Sequence, residues 1–347
     1  MSKKVCRAIE VGFGTTSITI AGDEKPKIKT FSSSVARVDS SRIGQSDMGI
    51  GKRDVVEVEV DGELFEIGPD AYLSSQDSDD VLSDHYVGSS QYKALVKGSL
   101  SLMQDRVIDL LVVGLPVNHW SKKDELIKLT EGVHDFNGGK QRIVKKTMVL
   151  PQPVAGLVSY ATSLSRQEFE SNFKMANVVC VDAGYLTLDV CTSRGLTPIE
   201  KRSGATENGF STVLNDVIPT LSKAFSLTSN LSRRLVDDAF WKTNGKLRVR
   251  GHDYPFPVCA SEDNEFGVEY DVRNKINSAT QIAANYVRNI VGSGADIDFF
   301  VLFGGPIKTF EPALRELYPH HKMIVLENNL TTVVEGLFYA GRQAVSR

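Results

Sequence analysis

Cysteine and histidine are scarce in this chain: its 347 residues include four Cys and six His. Cys6, Cys180, Cys191 and Cys259 form no C-x-x-C pair and the histidines do not cluster, which argues against a structural zinc site. Cys6, Cys180 and Cys191 lie in apolar, strand-like runs, as small buried thiols of a reducing compartment do. Long apolar runs are missing too. The longest candidate, residues 110–117, is interrupted by Gly114 and Pro116, and none approaches the ~18 to 20 residues of a membrane helix. Residues 1–7 carry signal-like charges but run into Glu10 and Gly12 without an apolar stretch. The expected location is therefore cytoplasmic, away from membranes. No excess of one charge exists either. Forty Lys and Arg against 43 Asp and Glu give a net charge of −3, so direct nucleic-acid binding is not expected.

What is present is an ordinary globular composition, 41% hydrophobic with 16 Phe and 10 Tyr. The length predicts two domains. Residues 5–20 suggest two strands around a glycine turn, and residues 55–67 a hairpin turning at Asp61-Gly62. Helical spacing predicts helices over 90–106, 155–164, 210–221, 268–291 and 332–344. Apolar runs predict buried strands at 108–113, 144–150, 178–181, 299–303 and 323–326, with a turn at 182–185 and a returning strand at 186–192. Alternating strands and helices imply an α/β fold. Polar stretches at 39–53 and 74–92 suggest surface loops or short helices.

The most informative feature is self-similarity. Ile9-Glu10-Val11-Gly12-Phe13 and Val181-Asp182-Ala183-Gly184-Tyr185 share one pattern: buried strand, carboxylate, small or apolar residue, glycine, aromatic. The carboxylates lie 172 residues apart, about half the chain. Glycine turns let a phosphate approach backbone N–H groups. A strand-end carboxylate can hold the water shell of Mg²⁺. Two such hairpins facing each other could clamp a polyphosphate. The alternative is two ordinary β-hairpins, which the repeat disfavours.

On these segments the chain resembles the actin-like ATPases of the actin, sugar kinase and Hsp70 superfamily, above all the bacterial plasmid-segregation ParM/StbA group. Glu10-Val11-Gly12-Phe13-Gly14-Thr15-Thr16 resembles the first phosphate loop, and residues 150–156 the first connecting segment. Residues 182–189 resemble the second phosphate loop, residues 301–306 the adenosine loop and residues 334–338 the second connecting helix. The resemblance implies an actin-like fold of two similar domains, each a mixed β-sheet flanked by helices, around a nucleotide cleft. It places one domain at 1–160 plus 332–347 and the other at 161–331. It implies ATP or ADP, with GTP as an alternative, and Mg²⁺ near Glu10 and Asp182. Asp182 and Gln152 would be catalytic, Gln152 orienting the attacking water. Gly12, Phe13, Gly14, Thr15, Thr16, Gly184 and Tyr185 would hold phosphates. Gly304 and Gly305 would border the nucleotide, and Gly209 the ribose or adenine.

Three positions depart from the family pattern. Glu10 replaces an aspartate, moving the carboxylate by about 1.5 Å and keeping its metal contact through water. Ser17 replaces a lysine and removes a positive charge. Pro306 stands where a small hydroxyl residue is frequent. The resemblance implies self-assembly into ATP-controlled filaments that segregate plasmid DNA through a DNA-bound adaptor, with the loops at 39–53 and 74–92 as candidate interfaces. A small-molecule kinase is the alternative. It would need a base such as Asp189, which the pattern puts on the returning strand away from the phosphate. A Rossmann oxidoreductase is disfavoured because Gly12-Phe13-Gly14 lacks the third glycine and the following helix. His119 is expected to cap a helix or pack on Trp120, and His320-His321 to form a surface turn. The basic residues Arg233, Arg234, Lys246, Arg248 and Arg250 suggest a solvated face or a protomer or adaptor contact.

Overall fold

The computed structural model describes residues 4–38, 53–74 and 86–346. Much of both polar loops singled out above, residues 39–52 and 75–85, lies outside the described residues.

The first half contains β1 (Cys6–Val11), β2 (Thr15–Ala21), β3 (Lys27–Ser32), β4 (Val35–Arg37), β5 (Val56–Val60), β6 (Glu63–Ile67), α1 (Ser90–Leu102), β7 (Val107–Ile108), β8 (Leu110–Leu115), α2 (Lys123–Thr130), β9 (Gly132–Phe136), β10 (Lys140–Val144), β11 (Thr147–Pro151), α3 (Gln152–Ser163) and α4 (Arg166–Glu168). The second contains β12 (Asn177–Ala183), β13 (Leu188–Arg194), β14 (Thr197–Thr206), α5 (Phe210–Ala224), α6 (Arg233–Trp241), β15 (Lys246–Val249), β16 (His252–Pro255), β17 (Val258–Cys259), β18 (Tyr270–Asp271), α7 (Arg273–Val291), β19 (Phe299–Phe303), α8 (Ile307–Leu317), β20 (Lys322–Val325) and α9 (Thr332–Ser346).

The repeat seen in the sequence is a repeat of topology. One sheet has the order β3-β2-β1-β8-β11 and the other β14-β13-β12-β19-β20. In each, three consecutive strands form an antiparallel meander, and two later strands add in parallel beyond the first. The register repeats as well. Glu10 stands opposite Ser17 and Asp182 opposite Asp189, so corresponding members of the two pairs are 172 residues apart. The apolar runs of β8 and β19 are buried along their whole length, as strands covered on both faces require.

Local chemistry shifts several expected boundaries. The strand expected over 144–150 is two strands, broken at Lys145-Lys146, with the Lys145 ammonium paired to Asp109. The helix expected from Ala155 begins at Gln152, because a proline at its second position needs no N–H donor in the first turn. The helix expected from residue 268 begins at Arg273: Tyr270–Asp271 pairs with Val258–Cys259, and the Asp271 carboxylate accepts the Arg273 N–H at 3.0 Å. The Asp61-Gly62 hairpin forms as expected, with both residues at positive φ, 52° and 82°.

Each sheet has its own core on one face, Leu95, Val113 and Ile18 in the first half, Val181, Leu214 and Phe300 in the second. A third cluster joins the halves. It brings Cys6 and Val112 of the first sheet and Cys180, Val301 and Phe303 of the second onto Ala155, Leu157, Leu337 and Phe338 of α3 and α9. Three of the four cysteines sit in this cluster; all four are free and buried. No helix among the described residues is long and apolar enough to cross a membrane.

Candidate functional site

Two glycine loops leave corresponding ends of β1 and β12. The Gly12 N–H donates to the Thr15 carbonyl at 2.9 Å, and the Gly184 N–H to the Thr187 carbonyl at 2.8 Å. These are the same turn at the same repeat positions. A Cβ on Gly12 would sit 3.0 Å from the Thr15 oxygen, and one on Gly184 2.9 Å from the Thr187 oxygen, so both turns leave little room for a side chain. The loop carbonyls are bound on the protein side. Ser33 donates its Oγ–H to the Gly12 oxygen at 2.6 Å and its N–H to the Gly14 oxygen at 3.1 Å. In the second loop the N–H groups of Gly209, Phe210 and Ser211 donate to the carbonyls of Leu186, Gly184 and Tyr185. A trans peptide with its carbonyl held this way presents its N–H on the opposite side. Gly209 therefore spends its own N–H on the loop, at the start of α5. Thr16 is buried and shares a 2.9 Å hydrogen bond with Ser33.

The carboxylates converge. Gln152, buried in the first turn of α3, donates its Nε2–H to Glu10 Oε1 at 3.1 Å. Burial, and then the charge of Asp182, push the half-buried Glu10 carboxyl up to about 8. Burial, and then the charge of Asp189, push Asp182 up to about 8 as well. Asp189 is raised to about 6 by burial, against hydrogen bonds from Thr187 Oγ1 at 2.7 Å and the Val117 N–H at 3.1 Å. Asp189 thus lies beside the site, opposite Asp182, and its bond to Val117 ties the second sheet to the first half. Among the described residues, none of the three carboxylates forms an ion pair with a lysine or arginine.

Gly304 follows β19 at φ 94° and lies so close to the Ala183 carbonyl that a Cβ would collide with it. The adenosine-loop candidate is thereby held against the end of β12. Gly305 is next to Leu330, whose side chain is 51% exposed; a Cβ on Gly305 would be 3.0 Å from Leu330 Cδ2. The two halves touch at the loops: a Cβ on Gly14 would lie 3.1 Å from the Tyr185 Cβ.

Residues 8–154 match the family of actin-like protein N-terminal domains. The whole chain is similar in structure to a non-polymerisable quadruple mutant of the pCBH ParM, at TM-score 0.74 and 17% identity over 98% of this chain and 100% of that one. The chain has the actin-like fold. A 15-stranded ParM filament from Clostridium botulinum is similar at TM-score 0.73 and 17% identity, covering 98% and 99% of the two chains. The archaeal actin homologue Ta0583 in complex with ADP is similar at TM-score 0.67 and 15% identity, covering 99% and 100%. No curated protein sequence matches the chain.

In this actin-like chain the structure brings Glu10, Gln152 and Asp182 together, flanked by both glycine loops. It also places residues that the sequence reading missed. Ser33 holds the first loop. His119 is buried with its ring 6.4 Å from Phe13 of the first loop, while Trp120 is exposed under the Lys123 ammonium. Ser33 sits in a run of three serines and His119 in a short 3-10 helix, so neither carries a periodic signal. His321 does lie in a turn, where its Nε2 bonds the Gly294 carbonyl at 2.9 Å.

Proposed function

We propose that this protein is a cytoplasmic ATPase that assembles into filaments when ATP-bound, disassembles after hydrolysis, and moves plasmid DNA through a DNA-bound adaptor. The observation that carries the reading is the facing pair of identical glycine turns, each with a buried or half-buried carboxylate one strand-end away, 172 residues apart. Residues 1–160 plus 332–347 form one domain and 161–331 the other. Filament formation by ParM relatives and the ADP complex of an archaeal homologue support the assembly and nucleotide parts of the reading.

The chain's residues divide the work. The N–H groups of the loops at Gly12–Gly14 and Gly184–Tyr185 bind phosphates, Thr15 and Thr16 shaping the first. Gln152, oriented by Glu10, positions water; a neutral amide is a poor base, so hydrolysis is slow. Asp182 accepts a hydrogen bond from the attacking water's O–H and helps to place it. The carboxylates fit Mg²⁺: they are acidic, crowded and without a cationic partner among the described residues, yet no three form a cage that could ligate a metal directly. Bound through water, Mg²⁺ would neutralise charge on the phosphates and favour the ionised forms of Glu10 and Asp182 that burial disfavours. Gln152 at the water-positioning place favours hydrolysis over transfer to a small-molecule hydroxyl.

Right-angle light scattering with phosphate release, at micromolar protein with Mg²⁺ and ATP, tests this. Scattering is expected to rise with ATP and fall as phosphate accumulates, and to stay low with ADP; GTP is run in parallel. A flat trace at every concentration would remove the filament reading.

Ser17 supplies a second test. Where the family carries lysine, Ser17 is fully buried and its Oγ–H donates to the Leu330 carbonyl at 3.2 Å while sharing a 2.9 Å bond with Thr30. It thus holds the loop whose leucine covers Gly305. Ser17→Ala is expected to weaken adenine-nucleotide affinity about threefold to tenfold, as one lost hydrogen bond does, with saturated phosphate release within about twofold of wild type. Equilibrium titration and steady-state kinetics separate the two. An unchanged affinity with a slowed turnover would count against this role.

A further inference from the structure

We propose that Tyr72 and Arg234 form a latch across the cleft that sets how long a nucleotide stays bound. The latch is a physical contact in its own right, and its consequence for residence rests on the nucleotide-binding reading above. Tyr72 lies in the 3-10 helix Ala71–Leu73, after β6; Arg234 lies in the first turn of α6. The Arg234 guanidinium stacks on the Tyr72 ring, 3.2 Å from its centroid. Both segments occupy the same place in the repeat, between the third meander strand and the first added parallel strand: β3 to β8 in one half, β14 to β19 in the other. Equivalent crossovers of the two halves thus meet at this side-chain pair. Arg233 and Arg234, expected from the sequence to lie on a solvated face or a protomer or adaptor contact, are thereby separated. Arg233 bonds Asn215 of α5, and Arg234 reaches over to the other half, with only a 4.0 Å contact to Asp238 on its own helix.

The stack is connected to the loops. On the far end of α6, Phe240 and Trp241 pack on Phe210, with ring centroids at 4.9 and 5.3 Å, and Phe210 is 6.4 Å from Tyr185 of the second glycine loop. Since Gly14 and Tyr185 are in contact, a polyphosphate passes between the loops only when the halves separate. Separation at the loops moves α6 away from Tyr72, so the stack must break. A cation over an aromatic face is worth enough to slow release about fivefold.

The experiment uses the full chain below its assembly concentration. One arm measures release of a fluorescent ADP analogue by stopped flow. The other measures the radius of gyration of the nucleotide-free protein by X-ray scattering. Tyr72→Ala and Arg234→Ala are each expected to speed release about fivefold and to enlarge the protein. The double variant is expected to match either single one, and Tyr72→Phe, which keeps the ring, to behave as wild type. Release within twofold of wild type in Tyr72→Ala, or full additivity in the double variant, overturns the latch. If wild type binds no fluorescent ADP, the nucleotide reading fails and scattering alone decides: an enlarged Tyr72→Ala upholds the latch as a contact, and an unchanged one overturns it.

Discussion

Asp182→Asn is expected to abolish phosphate release, by at least about a hundredfold, and at the same time to stabilise the free protein at alkaline pH. The first effect follows from the catalytic role proposed for Asp182, since losing a carboxylate at a reacting phosphate typically costs that much or more. The second follows from its surroundings. Asp182 is 8% exposed, and burial and Asp189 push its carboxyl up to about 8. In the unfolded chain an aspartate titrates near 3.9. The folded form therefore binds the proton more tightly, and its contribution to stability is fully present below about pH 4. That contribution is lost as pH rises through about 8, where the folded protein must hold a buried charge that the unfolded chain leaves in water. Glu10, raised to about 8, and Asp189, raised to about 6, act in the same direction.

Wild type without ligand is thus expected to lose stability between about pH 4 and 9, and the asparagine variant to lose less of it. By pH 9 the variant should be the more stable, by on the order of a few kcal/mol, with little difference near pH 4. Urea unfolding at both pH values checks this. Saturating Mg²⁺ and ATP should reverse the order, because only wild type keeps the carboxylate. A variant less stable than wild type at pH 9 would mean that Asp182 is held by a cation or by donors that stabilise its charge, and the reading of a metal-ready carboxylate site would fail with it.

Why these residues were legible in the sequence, and others were not, has a physical cause. Glu10, Gly12, Asp182 and Gly184 belong to a motif written twice, and each copy is local: strand, carboxylate, glycine, strand. Short-range order of that kind is visible as spacing. Gln152 was legible by resemblance, but its bond to Glu10 spans 142 positions and has no local signature. The same holds for Asp189 and Val117, 72 apart, and for Ser17 and Leu330, 313 apart. Such bonds exist only once the two sheets are assembled. Element boundaries slipped where a side chain outside the periodic pattern decided them, as at Lys145-Lys146, Pro153 and Asp271. The match to actin-like N-terminal domains ends at residue 154, so the second half is tied to the fold by topology.

Gly336→Val is expected to unfold the protein or to lower its melting temperature by more than about 10 °C, although residue 336 touches neither glycine loop. Helices α3 and α9 cross at this glycine. A Cβ there would collide with the Ala155 carbonyl oxygen and stand 3.1 Å from the Ser159 backbone nitrogen. The obstacle is helix backbone, so no rotamer change relieves it, and the helices must move apart. Both are packed between the sheets, in one cluster that holds Leu157, Leu337 and Phe338 together with Phe303 and Val112, so their separation opens a cluster that the two halves share. Overpacking of a core costs about 1–3 kcal/mol where side chains yield, and more where backbone must move. The site would feel it first through α3, whose first residue is Gln152. Displacing that helix draws the amide from Glu10 and, in the mechanism proposed above, leaves the attacking water without its orienting group. Gly336→Ala should show the same effect in weaker form, folding at room temperature but losing phosphate release more than nucleotide affinity. Thermal unfolding followed by circular dichroism, with steady-state phosphate release on the alanine variant, separates the two consequences. A Gly336→Val protein that melts within 2 °C of wild type would show that the helices do not cross as closely as the fold requires.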